Sequence, residues 1–170
     1  MKSKILLIYS WAIRSLLFFL PDIPILMRFR GFLYGLGMES CGRDFQVTHD
    51  AIVKGLQNIS VGKHVFIGDM TVILARGEIC IEDEVMLAPH VVVISSNHSL
   101  LNGSFRYGPA RIGPIRICSG SWIAANCTVA KGAKLPQGSV LSANSFLNKS
   151  YDSKDSIYAG TPAIWVKSIK

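Results

Sequence analysis

The chain of 170 residues is long enough for one domain with a buried core. Hydrophobic residues make up 49% of it and charged residues only 17%, which excludes a disordered chain and a charged coiled coil. The net charge of +7 lies at the two ends, because residues 47–130 carry equal numbers of basic and acidic side chains. Nucleic-acid-binding proteins concentrate basic residues in one patch or stripe, so this distribution favours two separate anionic partners and no nucleic acid.

Two apolar segments open the chain. Residues 5–20 contain Arg14 and fall short of the roughly 20 apolar residues of a membrane-spanning helix. The second segment has helical spacing and carries Arg28 and Arg30 on its polar side. Apolar faces bordered by basic residues are typical of helices that lie on anionic membrane surfaces. We therefore expect residues 1–36 to contact a membrane surface; the alternative is that these helices pack on the core or between subunits.

The central part of the chain repeats with a period of six residues. Each hexapeptide opens on an aliphatic residue, and its fifth residue is small or β-branched; clear copies begin at Val61, Ile67, Ile81, Leu87 and Val129. A period of six fits neither a helix nor an ordinary strand, but a short strand followed by a corner. Three such strands would close a triangular coil of about eighteen residues that pairs with the next coil in parallel sheets.

This repeat resembles the left-handed parallel β-helix of the hexapeptide-repeat acyltransferases, and only the resemblance implies the left hand. We expect a helical segment in residues 1–44, the β-helix in residues 45–150 and a C-terminal tail in residues 151–170. The repeat loses its phase near Arg76-Gly77, which predicts a bulge. It is interrupted in residues 97–112, which predicts a loop excursion of the kind that often carries a functional site.

The four cysteines are Cys41, Cys80, Cys118 and Cys127, and they show neither Cys-x-x-Cys nor a zinc-site spacing. We interpret them as reduced and mostly buried thiols of a cytoplasmic protein, although an even number leaves a disulfide pair open. The sequence predicts no metal site.

Motifs on both sides of the loop make the resemblance more specific. The chain reads Ile-Ser-Ser-Asn-His98 before the loop and Pro-Ile-Arg-Ile-Cys-Ser-Gly-Ser-Trp122-Ile-Ala after it, and ends with Ile-Tyr-Ala-Gly-Thr-Pro-Ala. These runs are similar to those of the galactoside, maltose and nodulation-factor acetyltransferases, over about residues 45–170. Residues 1–44 most resemble the surface-polysaccharide O-acetyltransferases. The resemblance implies acetyl-CoA as the acetyl donor and a homotrimer with each active site between two subunits.

His98 corresponds to the catalytic histidine of these enzymes. A neutral imidazole, with an ordinary pKa of about 6.5, is suited to remove the acceptor's hydroxyl proton near pH 7. A carboxylate that orients His98 would be Asp69, Asp83 or Glu84, and the sequence does not choose among them. We interpret His64 and His90 as surface or packing residues. His49 is left unassigned.

The resemblance also implies the coenzyme-binding residues, which are Trp122, Ala125, Ala143, Asn148, Lys149 and Lys167. The backbone amide of Ala125 would stabilise the oxyanion, and the lysines would bind phosphates. Asn148 replaces a threonine of the family, and Ile164 replaces a second arginine, which weakens the expected phosphate contacts. No serine or cysteine lies in a nucleophile motif, so we expect direct transfer within a ternary complex.

The sequence therefore predicts an O-acetyltransferase that acts on a sugar hydroxyl of a bacterial surface polysaccharide or its precursor, in the cytoplasm at the inner face of the membrane. An N-acetyltransferase of an amino sugar is the alternative within this class. A γ-type carbonic anhydrase shares the fold, but its paired zinc histidines stand five residues apart, whereas His90 and His98 stand eight apart. A non-catalytic trimeric scaffold would not require His98 and its loop.

Overall fold

The computed structural model describes residues 2–169 as a three-sided prism of stacked coils, with two helices at its N-terminal end. The helices are α1 (Lys2–Leu17) and α2 (Pro24–Gly35), and a single 3-10 turn spans Leu56–Asn58. The strands are β1 (Ser40–Cys41), β2 (Gln46–Val47), β3 (Ile52–Lys54), β4 (Ile59–Val61), β5 (Phe66–Ile67), β6 (Val72–Leu74), β7 (Ile79–Ile81), β8 (Met86–Leu87), β9 (Val92–Ile94), β10 (Ser96–Asn97), β11 (Arg111–Ile112), β12 (Ile115–Ile117), β13 (Trp122–Ile123), β14 (Thr128–Ala130), β15 (Lys134–Leu135), β16 (Val140–Leu141), β17 (Phe146–Leu147), β18 (Ser156–Gly160) and β19 (Ala163–Ser168).

The strands form three sheets, one on each side of the prism, and a separate two-stranded sheet of β10 and β11. Face A contains β1, β4, β7, β12 and β15; face B contains β2, β5, β8, β13, β16 and β18; face C contains β3, β6, β9, β14 and β17. The chain passes from face A to B to C in each coil, and neighbouring strands on a face are parallel, as in the pairing of Ile73 with Val93. The predicted parallel β-helix is confirmed, and the arrangement is consistent with a left-handed coil.

The hexapeptide repeat explains where the core lies. The aliphatic residues that open the hexapeptides point into the prism, and Val61, Ile67, Ile81, Leu87 and Val129 are each exposed by 4% or less. Burial of one such side chain stabilises the fold by about 1.5–3 kcal/mol. Because the interior is a stack of these residues, the strand register is fixed from one coil to the next.

The junction between the helices and the first coil is held by Arg30. This residue is 2% exposed; its guanidinium pairs with Asp22 at 2.7 Å and donates to the carbonyl oxygen of Val47 at 3.3 Å. The expectation that Arg30 lies on the solvent-facing, polar side of α2 is therefore wrong. Gly31 brings α2 against the coil, because an added Cβ would lie 1.8 Å from the carbonyl oxygen of Phe45.

Residues 97–112 leave the coil between β9 and β12, as the break in the repeat predicts. The base of this excursion is the antiparallel pair β10–β11, in which Ser96 faces Ile112. The C-terminal residues, which we expected to form a tail, instead build an antiparallel hairpin of β18 and β19 that extends face B. Tyr158 of β18 is fully buried, so the hairpin is packed onto the last coil.

Candidate active site

Most of the candidate residues lie at two corners of the prism, one on each side of face C; Trp122 and Lys167 lie on face B. At the corner between faces C and A, the chain segments that end β3, β6 and β9 stack on one another and carry Lys54, Arg76 and His98. The amide of Ala75 donates to the carbonyl oxygen of Lys54 at 2.9 Å. Gly55 adopts φ 81°, and an added Cβ would lie 2.1 Å from the Ala75 carbonyl oxygen, so only glycine permits this close stacking.

The Arg76 turn, where the repeat loses its phase, is fixed by two side chains. Nδ2 of Asn58 donates to the carbonyl oxygens of Ala75 at 2.9 Å and Arg76 at 3.2 Å. The buried Oγ of Ser95 accepts from the amide of Gly77 at 2.8 Å and donates to the carbonyl oxygen of that residue at 3.0 Å. The backbone of this turn is therefore held at a defined position one coil away from His98.

His98 lines a groove of about 630 Å³. The other lining residues include Asn97, Lys54, Arg76 and, from the first turn of α1, Lys4. The imidazole is exposed and forms no hydrogen bond with any of residues 2–169. An imidazole in this state is free to accept a proton from a bound hydroxyl group.

At the corner between faces B and C, the backbone amides without an acceptor in the described chain include two that were predicted to contact the coenzyme. The turns of successive coils are joined there by hydrogen bonds from Asn126 to the Pro89 carbonyl at 3.2 Å and from Asn144 to the Ala125 carbonyl at 3.0 Å. The amide N–H groups of Ala125 and Ala143 donate to no acceptor in the described part of the chain. Two free donors one coil apart suit an extended ligand with amide carbonyls, which is the role predicted for them.

The remaining predicted coenzyme residues are spread over the C-terminal coils. Trp122 is 42% exposed on face B, in register with Met86. Asn148 and Lys149 are exposed in the turn after β17, at the corner between faces C and A, whereas Lys167 is exposed on β19 at the edge of face B. One chain does not bring the two lysines together, and neither forms an ion pair within residues 2–169.

His98 and Ala125 also lie apart in one chain, because face C separates their corners. At about 3.3 Å per residue, a three-residue strand and its two flanking corners separate the His98 corner from the Ala125 corner by roughly 15 Å. Acetyl transfer requires reacting atoms within about 3–3.5 Å. A single chain therefore does not complete the predicted site.

None of the three carboxylates considered as partners of His98 lines its groove. Asp83 and Glu84 lie at the corner between faces A and B, where Asp83 accepts from the amide of Lys63 at 2.7 Å. Asp69 lies at the corner between faces B and C, two coils before Ala125. None of these three carboxylates therefore orients His98 within one chain.

The other histidines lie at the surface. The ring of His64 is hydrogen-bonded to Asp44 at 2.9 Å, and that of His49 to Asp22 at 2.5 Å. The hydrogen bond from His64, followed by that from Arg28, lowers the pKa of Asp44 to about 2. These contacts join the helices to the first coils and lie away from the His98 groove.

All four cysteines in the described chain are free thiols. Cys118 and Cys127 are buried, Cys80 is partly buried and Cys41 is exposed, so the expectation of mostly buried thiols holds fully for two of them. Burial raises the pKa of all four thiols. A protonated thiol is a weak nucleophile at neutral pH, which agrees with transfer without a cysteine acyl-enzyme.

The residues around His98 were missed in the sequence analysis. Lys54, Arg76 and His98 are spaced by 22 residues, close to the 20-residue register that relates Val53, Ile73 and Val93. That spacing was a signal that all three share one corner. The contribution of α1 had no such signal, because the repeat does not extend into the helix.

The comparisons with known proteins agree with this architecture. No family model matches the chain. The putative colanic acid biosynthesis acetyltransferase WcaF of Escherichia coli (strain K12) is 23% identical over 157 residues, which are 92% of this chain and 84% of that protein. The hexapeptide-repeat acetyltransferase VCA0836 of Vibrio cholerae O1 biovar eltor, solved with acetyl coenzyme A, superimposes with a TM-score of 0.83 over 98% of this chain and 88% of that chain, at 24% identity. The chain has the hexapeptide-repeat acetyltransferase fold.

A maltose O-acetyltransferase from Clostridium difficile 630 shares the fold with a TM-score of 0.78, 22% identity and coverage of 98% of this chain and 89% of that one. Coverage of 98% includes both N-terminal helices, so the helical cap belongs to the shared architecture together with the β-helix. The resemblance predicted from the hexapeptides and the His98 motifs is confirmed. Within residues 2–169, no helix is long and apolar enough to cross a membrane, and no three His, Cys, Asp or Glu side chains are grouped as for a metal ion.

Proposed function

We propose that the protein is an acetyl-CoA-dependent O-acetyltransferase that acts on a sugar hydroxyl of a surface polysaccharide or its precursor. The observation that carries the proposal is the exposed imidazole of His98 in a groove large enough for a sugar, combined with the amides of Ala125 and Ala143 on the other edge of face C. None of these groups has a hydrogen-bond partner within residues 2–169. Similarity to a protein named for colanic acid biosynthesis supports a polysaccharide acceptor.

The reaction follows from these groups. Acetyl-CoA supplies a thioester carbonyl. His98 accepts the acceptor's hydroxyl proton while the hydroxyl oxygen forms a bond to the carbonyl carbon. The amide of Ala125 donates to the carbonyl oxygen as negative charge develops on it. When the carbon–sulfur bond breaks, the protonated His98 returns its proton to the leaving thiolate.

The site is completed in a homotrimer, in which His98 of one chain meets the Ala125 corner of the next. The outward residues of face C support this assembly, because the column along its paired strands is apolar except for Thr128; its other members are Ile52, Val72, Val92 and Phe146. Face A is more polar and carries the ion pair of Arg116 with Glu82. An apolar face that spans the prism favours burial against a second copy.

The helical cap supports contact with a membrane surface. Its exposed apolar side chains form a surface on α1, α2 and their connection, and include Ile5, Ile8, Trp11, Leu16, Phe19, Ile25, Phe29, Phe32 and Leu36. Lys4 is exposed beside this surface, whereas Arg28 is paired with Asp44 at 2.5 Å. The enzyme would then meet a lipid-linked acceptor as a peripheral protein at the cytoplasmic face of the membrane.

The function is tested by incubating the purified protein with acetyl-CoA and deacetylated polysaccharide, and by following thiol release and the mass of the product. We expect an alkali-labile gain of one acetyl group, and a loss of two to four orders of magnitude in kcat in His98→Ala with an unchanged Kd for acetyl-CoA. An alkali-stable product on an amino sugar would replace the O-acetyltransferase by an N-acetyltransferase. Activity of His98→Ala within threefold of the parent protein would refute the role of His98.

A further inference from the structure

Three cationic side chains share the groove with His98: Lys4 of α1, Lys54 at the end of β3 and Arg76 in the turn after β6. No Asp or Glu of the described chain lines this groove. Within residues 2–169 none of the three forms an ion pair, whereas four other cations of the chain do. Three positive charges that share a groove with acids only at its margin repel one another, and a bound anion reduces that repulsion.

A polar group beside these cations also lacks a partner. Oε1 of Gln57, which lines the groove, is buried and accepts no hydrogen bond in the described part of the chain. Buried polar atoms are nearly always paired, so this oxygen would accept from a ligand hydroxyl once the groove residues shift to admit it. Glu39 and Glu78 line a neighbouring hollow that shares Gln57 and Asn58 with the groove, which places the two acids at its margin.

The cations lie on the acceptor side of His98. Coils of a β-helix are spaced by about 4.8 Å, so the Arg76 turn is about 5 Å and the Lys54 turn about 10 Å from the His98 coil, towards the N-terminus. The predicted coenzyme positions Ala125, Ala143 and Lys149 lie on coils towards the C-terminus. In a trimer of parallel prisms, the coenzyme and the cations therefore approach His98 from opposite ends.

We infer that the acceptor bound beside His98 carries an anionic group, either a carboxylate or a phosphate, that contacts Arg76 and Lys54. This inference rests on the proposed function and names the substrate class of that transferase. The neighbouring Gln57 receives a hydroxyl of the same acceptor. A neutral sugar would leave all three cations without a partner.

The test uses two matched pairs of small acceptors with the full-length protein and coenzyme A. One pair is 4-nitrophenyl β-glucoside and 4-nitrophenyl β-glucuronide; the other is glucose and glucose 1-phosphate. Binding is measured from the NMR shifts of the His98 ring protons, and turnover from thiol release with acetyl-CoA. We expect at least one anionic compound to bind about tenfold more tightly than its neutral counterpart, with weaker binding at high salt. Which pair shows the difference separates carboxylate from phosphate.

The variants Arg76→Ala and Lys54→Ala should each raise the Kd for the anionic compound several-fold, and Arg76→Lys should recover part of the loss. The matched control is Lys63→Ala, which removes an exposed lysine at the corner between faces A and B. This variant should leave the Kd for the anionic compound unchanged. Equal binding within both pairs, or variants that raise only the KM for acetyl-CoA, would overturn the inference. Anion binding that depends on Arg76 but releases no thiol would refute the transferase and retain the anionic site. Turnover of neutral sugars that is unaffected by Arg76→Ala would refute the anionic site and retain the transferase.

Discussion

A site shared between two chains makes a quantitative prediction for mixed trimers. The first variant, His98→Ala, lacks the base. The second, Ala125→Pro, lacks the amide donor, because proline has no N–H. The substitution suits the turn, since Pro89 occupies the equivalent position one coil earlier: the amides of Asn126 and Asn144 donate to the carbonyls of Pro89 and Ala125, respectively. Each pure variant should therefore fold and be inactive.

When the two variants are co-expressed in equal amounts, half the chains keep His98 and the other half keep Ala125. In a randomly assembled trimer, a given interface pairs an intact base with an intact amide in one arrangement out of four. We therefore expect about a quarter of the parent activity per interface in the unselected mixture, and about a third in trimers that contain both variants, from two proteins that are inactive alone. If both groups were used within one chain, no mixed trimer would contain a complete site.

The assay is thiol release from acetyl-CoA by trimers purified through a different affinity tag on each variant. Light scattering establishes the mass of the assembly, and mixtures of each variant with the parent chain give the reference activities. Inactive mixed trimers of the correct mass would refute the shared site. A monomer at micromolar concentration would refute the assembly itself.

Three further predictions concern other parts of the molecule. Changing Lys149 and Lys167 together to Ala should raise the KM for acetyl-CoA severalfold with little change in kcat, and more at low ionic strength, because exposed charges are screened by salt. Changing Trp11 and Phe32 together to Ser should abolish co-flotation with anionic vesicles while activity on a small soluble sugar persists, because both side chains are exposed. Asp44→Asn should lower the free energy of unfolding by about 1 kcal/mol at pH 7 and by clearly less at pH 2. The pKa of Asp44 is depressed to about 2, so its stabilisation is present above about pH 4 and is lost as the pH falls through 2.

Two of these experiments have a matched control variant in the chain, and the third is controlled by pH. Lys154→Ala removes an exposed lysine near the same end and should leave the coenzyme KM unchanged. Trp165→Ser removes an aromatic side chain of similar exposure from β19 and should leave vesicle binding unchanged. Failure of the parent protein to float with anionic vesicles at low salt would assign the apolar cap to contacts between subunits. If Asp44→Asn lowered the free energy of unfolding equally at pH 7 and pH 2, the charge of Asp44 would not be the source of the stabilisation. Deletion of residues 1–36 is unsuitable, since it removes the buried Arg30.

The fold was predictable because one physical constraint repeats along the chain. An aliphatic residue in every sixth position must enter the prism, and residues such as Ile67 and Leu87 satisfy this independently of their distant neighbours. Arg30 was not predictable in the same way. Its place depends on Asp22 and on the carbonyl of Val47, which come near it only after the helices dock on the first coil.

The candidate site was predictable only in part, for a similar reason. The motif around His98 is continuous in sequence, so its position on the loop excursion followed directly. The groove beside it is assembled from α1 and from turns of two earlier coils, including Lys54 and Arg76. The phase break before Arg76 obscured their alignment, and no local pattern indicated that the first helix turn would reach the same groove.

The hairpin of β18 and β19 has a consequence for how the molecule behaves in a crowded solution. A stack of parallel coils ends in unpaired backbone donors and acceptors, onto which another solenoid could add its own first coil and begin a fibre. In this protein β19 runs antiparallel to β18 and covers the C-terminal edge of face B. At the other end, α2 packs against β2, with Gly31 pressed onto Phe45. Both terminations interrupt the parallel pattern of face B, so end-to-end polymerisation through this face is disfavoured.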